Sequence, residues 1–591
     1  MEEKNLIIFM ILTVGIVMLW MMFYGDQFEP APAGKQGRPG STVSKQGRPG
    51  STVSPPAGDT AGGLKDEPPP TVPSEGPAEL PDQRDTGKKP QAKKQPKIEQ
   101  MEQTVSVSTE VFEVEFTNVG AAPKHWYLLE YNNEKCFPVQ VNVAWPPVDT
   151  DPPCDPSPVD LIDQSKAPYY YTLNSQLSID NKIEVDPWEV WEIESSDLEL
   201  TDDRPEGEVS FKTELDDGRV VHKTYRFSNS SYAVDLTYTI EGEKPNRARA
   251  DISMLYTYDP GLKAGVPRWN FNGPIAMAAK LEKIDPDDVV DDGSIVVENL
   301  EWAGFTSDYF LSAVLSENDF SYQVKYTGNE KEEEDETRTL TGWVRVPATG
   351  EEIQQGTLAG VRVFMGPKNE RILGPVKDSL VQSIDYGMLG VLVKPLITAL
   401  YYLHQVIPNY GVAIIILTII IRMALFPLTR TSQKSMKQMQ KLQPEIKKLR
   451  EEYKDDKMKQ QEEIQALWKR HKVNPAMGCL PMLLQFPVFF AIYKALLISI
   501  ELRHAPFMWW IIDLSSRDPL YIWPIAMGAT QLVTQKMTPT QMDSTQAKLF
   551  LAMPIVFTFI LRNFPAGLLI YWTVQNMVGI AQQIYVNRQP D

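Results

Sequence analysis

Residues 411–428 read GVAIIILTIIIRMALFPL, an apolar run with a single charge, Arg422, inside it. As one helix such a run is about 27 Å long, close to the thickness of a bilayer's hydrocarbon core, so it reads as a membrane span. A guanidinium there is costly and normally faces protein or water. Two readings are open. Arg422 snorkels toward the end of the span marked by Arg430, or it lines a water-filled cavity open to the cytoplasm. Arg430 is eight residues on, about 12 Å along a straight helix, and an arginine side chain covers about half of that. The distance favours the cavity, where arginine stays charged.

Four further apolar runs follow: Leu480–Ile500, Leu520–Val533, Ala547–Leu561 and Gly567–Tyr585. Between the first two spans, residues 429–475 carry 13 Lys+Arg against 7 acids. Such a basic loop belongs on the cytoplasmic side, and alternation then orients every other segment. Met436, Met439, Leu442, Ile446, Leu449 and Tyr453, then Ile464, Leu467 and Trp468, predict two amphipathic helices. Lys454-Asp455-Asp456 is their turn, and Pro444 marks a helix start or kink. This hairpin is either self-packed or a docking arm for ribosome, client or translocon. Tyr386–Val406, broken by Lys394 and Pro395, reads as a helix lying on the membrane surface.

Upstream, Leu6–Tyr24 is 19 residues without a charge. It is long for a signal core and lacks a positive n-region, so an uncleaved anchor (1–24) is favoured over a signal peptide. Residues 25–100 contain 14 prolines and a tandem KQGRPGSTVS at 35–44 and 45–54. That composition predicts a disordered linker. From 101 to about 380, period-two alternation as in Val105–Phe116 and Ala233–Ile240, with a hairpin signal at Asp217-Gly218, predicts an antiparallel β-sandwich. Residues 381–591 are then a helical membrane domain.

The chain has 591 residues and a net charge of −19. Residues 101–385 hold 53 acids and 24 Lys+Arg, or −29; the remaining 24 acids and 34 bases give +10. By the same topology the acidic domain lies outside and both termini inside. No strongly basic domain suits sequence-specific nucleic-acid binding. Five scattered histidines make no metal-ligand set, and there is no P-loop, so no cofactor is expected. Acid pairs such as Asp202-Asp203 and Glu332–Glu336 read as solvated surface. Cys136 and Cys154, if extracytoplasmic, are candidates for a disulfide that spacing alone leaves open; Cys479 reads as a small apolar filler. Inside the spans, Gln485, Thr530, Gln531, Thr573, Gln575 and Asn576 add polar groups, each singly a partner for another helix. No Asp or Glu lies mid-span to neutralise Arg422.

Four stretches carry a resemblance: IIIRMALFPLTRTSQKSMKQMQKLQPEIKKLRE, KVNPAMGCLPMLLQFPVFFAIYKALLISIELRHAPFMWWIIDLS, DPLYIWPIAMGATQLVTQKM and MPIVFTFILRNFPAGLLIYWTVQNMVGIAQQ. In order and spacing they resemble the YidC family of membrane protein insertases, in its form with a large periplasmic domain. The resemblance implies a bacterial inner-membrane protein. Its five core helices would enclose a hydrophilic groove open to cytoplasm and lipid. It places Arg422, Thr418, Gln485, Phe489 and Trp572 at that groove; Gln575 and Asn576 join from the polar pattern. Trp572 stands where tyrosine is more usual. Arg562, before FPAG, reads as an interface anchor. Nascent membrane proteins, the Sec translocon, the ribosome and lipid are the implied partners. A secondary transporter would show repeated halves, and none is detectable. A membrane-anchored enzyme acting through the β domain would need a catalytic pair that the sequence does not single out.

Overall fold

A computed structural model describes residues 102–133, 157–162, 172–258, 271–316, 322–328, 338–471, 473, 480–537 and 544–589. The expected anchor, the linker, Glu332–Glu336 and all three cysteines lie outside the described residues. The described chain falls into two compact units, one β-rich up to Ser383 and one helical from Ile384.

Among the described residues the β unit contains three sheets. In the nine-stranded sheet, Ala233–Glu241, Val220–Ser228 and Glu206–Glu214 are consecutive antiparallel neighbours. The six-stranded sheet is centred on Ala248–Tyr258 and Arg338–Pro347. The five-stranded sheet carries Thr104–Ser108 and Phe112–Thr117, and the parallel pairing of Thr104–Ser108 with Leu198–Glu199 is a departure from the antiparallel expectation. The predicted Asp217-Gly218 hairpin is present. Gly218 takes φ +83°, and the Asp217 carboxylate accepts from the Arg219 amide at 3.0 Å. That left-handed conformation is what glycine supplies without steric cost.

Alternation explains the core. Along Ala233–Glu241 every second residue from Val234 to Ile240 is buried. The nine- and six-stranded sheets meet through Tyr326, whose hydroxyl is 2.8 Å from the Ile275 carbonyl and whose ring meets Phe305 edge-on. Asp202 and Asp203 are exposed, as expected of surface acids.

Lys223 breaks the pattern. It is fully buried on the apolar face, and its ammonium donates to the carbonyls of Gly120 (3.0 Å) and Leu173 (2.9 Å) and to Ser175 Oγ (3.3 Å). Burial pushes its pKa well below the ordinary lysine value. The unfolded chain therefore holds this proton more readily than the folded one. The group's contribution to stability falls as pH drops from about 10.4 toward the folded value. We expect Lys223→Met to leave those oxygens without a donor at a cost of about 2 kcal/mol. Amide exchange across Val220–Ser228 in the full chain reads this; unchanged protection would show that the lysine holds nothing together.

The helical unit comprises α1 (Gly390–Val406), α2 (Tyr410–Ala424), α3 (Phe426–Lys441), α4 (Gln443–Glu452), α5 (Lys457–Arg470), α6 (Leu480–Ile498), α7 (Ile522–Met537), α8 (Ser544–Leu561) and α9 (Ala566–Arg588). The first expected span ends earlier than the hydropathy run. It stops at Ala424, and α3 leaves at an angle of 61°. Pro427 is the cause, since it has no amide hydrogen to continue the ladder and sits in the first turn of α3, where none is needed. Pro444 acts the same way between α3 and α4, as its position suggested. The hairpin turn falls at Tyr453–Asp456, and Leu442, Ile446, Ile464, Leu467 and Val473 form the hairpin's own small core.

Among the described residues no single helix is both long and apolar enough to cross a membrane; the bent α2–α3 pair is by length and composition. The surface carries the clearer sign. Ile420, Met423, Ile525, Ile555, Phe559 and Met577 are exposed, while Thr418, Thr573, Gln575, Asn576 and Gln582 are buried. Large exposed apolar side chains beside buried amides and hydroxyls are unusual for a water-soluble domain.

Candidate functional site

The site is built around α9, which packs against α2, α3, α6 and α7. Its first turns are sealed by apolar contacts. Met527, Leu561 and Leu569 form a buried cluster, with Trp523, Phe557, Phe564 and Trp572 against it. At Gly411 of α2 an added Cβ would lie 2.1 Å from the Phe507 ring, so only glycine allows this approach. Asn409 fixes the same corner, capping α2 through the Val412 amide (3.0 Å) and donating to the Phe507 carbonyl (2.7 Å).

Further along α9 the lining turns polar. Gln485 Nε2 donates to Tyr571 Oη at 2.7 Å. Trp572 Nε1 donates to Gln531 Oε1 at 3.3 Å, and Asn576 Nδ2 to Thr530 Oγ1 at 3.2 Å. The Phe489 ring meets Trp572 edge-on, with centroids 4.8 Å apart.

Arg422 lies in the last turn of α2, where the helix carbonyls favour a cation. Its side chain turns inward. Nη2 donates to the Gln575 carbonyl at 3.1 Å, and Gln582 Nε2 donates back to the Arg422 carbonyl at 3.2 Å. Gly579 makes room, since a Cβ there would stand 2.9 Å from Nη2. Arg422 Nε, Gln575 Nε2 and Gln582 Oε1 are buried without a hydrogen-bond partner among the described residues. Buried polar atoms are ordinarily satisfied by protein or water. The distance to Arg430 along a straight helix no longer applies, because the helix breaks at Leu425, three residues after Arg422.

The structure thus groups Arg422, Gln575 and Gln582 in one cluster, and Gln485, Phe489 and Trp572 in another joined through Tyr571. Thr418 is buried, its hydroxyl bonded back to the Ile414 carbonyl at 2.6 Å. Its hydroxyl hydrogen is therefore committed within α2. Tyr571 and Gln582 were not foreseen. Tyr571 supplies a phenol one residue before Trp572, the position where tyrosine is more usual. Tyr571, Gln575, Gly579 and Gln582 recur at helical spacing, the signal that marks one face of α9.

A helical bundle with exposed apolar faces, a buried polar cluster and a half-buried arginine, on a chain that also carries a β-sandwich unit, defines a polytopic membrane protein with an extramembranous domain. The 60Kd inner membrane protein family model matches residues 402–591, and the YidC periplasmic domain model matches 150–399. A membrane protein insertase YidC of Geobacter sulfurreducens is 41% identical over 387 residues, covering 64% of this chain and 71% of the relative. Another of that name, from Syntrophus aciditrophicus, is 36% identical over 493 residues, covering 83% and 85%. The chain belongs to the YidC family of membrane protein insertases, an inner-membrane family that is not one of enzymes.

Proposed function

We propose that this protein inserts client segments into the inner membrane by giving their polar ends a hydrophilic groove around Arg422. The observation that carries this is the inward-turned guanidinium, set among buried amides on a bundle whose outside is apolar. A client's polar tail or short hairpin enters from the cytoplasm. Arg422 attracts its acidic groups in a surround where charge is poorly screened. The client's apolar segment passes along α6 and α8 into lipid, and its burial there drives the step. The apolar seal at the start of α9 keeps the groove closed toward the periplasm. The basic segment 429–475, with most of its excess charge on α3, is the surface offered to ribosome or Sec translocon.

The test is insertion of a single-span client with an acidic tail into proteoliposomes of the purified chain, scored by protease protection. Protection no greater than in empty liposomes would end the reading. The orientation has its own test. We expect Asp455→Cys, in a background without other cysteines, to resist an impermeant thiol reagent in intact cells, with Asp217→Cys labelled once the outer barrier is opened. Labelling of 455 and not 217 would invert the scheme.

A further inference from the structure

A second feature of the helical unit lies away from Arg422. Between α7 and α8 is a cleft of about 760 Å³, within the range of about 300–1,000 Å³ usual for small-molecule sites. At one end stand two exposed arginines, Arg517 and Arg562. The rest of the lining is mostly apolar, running from Tyr521 to Leu532 on one wall and including Ile555 and Phe559 on the other. Ile525, Ile555 and Phe559 are 62%, 70% and 66% exposed, so the cleft opens sideways on the bundle's apolar surface.

We propose that this cleft binds an anionic phospholipid, with its phosphate between Arg517 and Arg562 and an acyl chain along α7 and α8. Charge and length argue for this occupant together. The Arg562 guanidinium lies 4.2 Å over the Phe559 ring, which occupies its face and leaves its N–H edge for an anion. Arg517 is fixed by a backbone bridge to Pro565. Its neighbour Asp518 is not its counter-ion. That carboxylate is buried and already accepts from Trp510 Nε1 and from the Leu520 and Trp523 amides. From Tyr521 to Leu532 is about 16 Å along a helix, roughly half a hydrocarbon core, so the apolar groove has the length of one leaflet. A client helix would have no such reason to stop there.

Native mass spectrometry of the delipidated full chain tests this, with dioleoylphosphatidylglycerol, dioleoylphosphatidylcholine and soluble glycerol phosphate as probes. We expect phosphatidylglycerol to bind about tenfold better than phosphatidylcholine. Arg517→Gln with Arg562→Gln should remove that preference, and both positions are exposed, so folding is not at stake. Ile555→Trp, which fills the cleft, should weaken both lipids. Glycerol phosphate should not compete, because it lacks the chain. Equal binding of the two lipids, a preference that survives the double substitution, or competition by glycerol phosphate would each overturn the proposal. Insertion is not read in this experiment, so its failure leaves the insertase reading standing.

Discussion

Arg422→Glu is expected to reduce insertion of a client with an acidic translocated tail by well over tenfold, Arg422→Ala by about tenfold, and Arg422→Lys by only a few-fold, tenfold being about 1.4 kcal/mol of lost attraction. The order follows from charge. Lysine keeps the cation and loses the fork, alanine removes attraction, and glutamate replaces it with repulsion in a poorly screened site. Clients with neutral tails should be affected least. The structure makes the alanine variant a clean one. The Gln575 carbonyl that accepts from Nη2 also sits within the α9 helix, so losing the guanidinium does not strand it. A snorkelling arginine predicts the opposite, since taking a charge out of lipid is harmless or stabilising. Matched acidic and neutral clients in proteoliposomes separate the two. Equal rates for wild type and Arg422→Ala on both clients would take Arg422 out of the mechanism.

Much of this architecture was legible because period and punctuation are local properties. The alternation in Ala233–Ile240 needs only a buried and an exposed face, and the strand Ala233–Glu241 has both. Asp217-Gly218 needs only a residue content with four surrounding positions. The end of α2 was misplaced for an instructive reason. Hydropathy runs through Ala424, Leu425 and Phe426 without a change, whereas the backbone responds to Pro427 and turns by 61°. The buried Lys223 was illegible, because a lysine at a core position of a strand looks like a surface residue until Gly120, Leu173 and Ser175 arrive from elsewhere in the chain. At the site, Arg422 stood out alone as a charge in an apolar run. Its partners on α9 did not, because Gln575 and Gln582 acquire meaning only once α9 is known to lie against α2.

Gly579→Leu tests whether the position of the charge matters as well as its presence. At Gly579 even an added Cβ would lie 2.9 Å from Arg422 Nη2 and 3.4 Å from Cζ. Those atoms are the far end of a flexible side chain, so a methyl shifts them by a few tenths of an ångström. Alanine also favours the helix over glycine by about 1 kcal/mol. Gly579→Ala should therefore stay within about threefold of wild type, a difference under 1 kcal/mol. Leucine fills the space and drives the guanidinium off the Gln575 carbonyl. Insertion of the acidic-tail client should then fall by about tenfold with the cation still present. The decisive comparison is the double variant. If leucine acts by displacing Arg422, it should do nothing further once Arg422 is alanine, and the two losses will not add. Full additivity of the two substitutions, or a Gly579→Leu protein that inserts at the wild-type rate, would show that the groove does not depend on where this arginine is held.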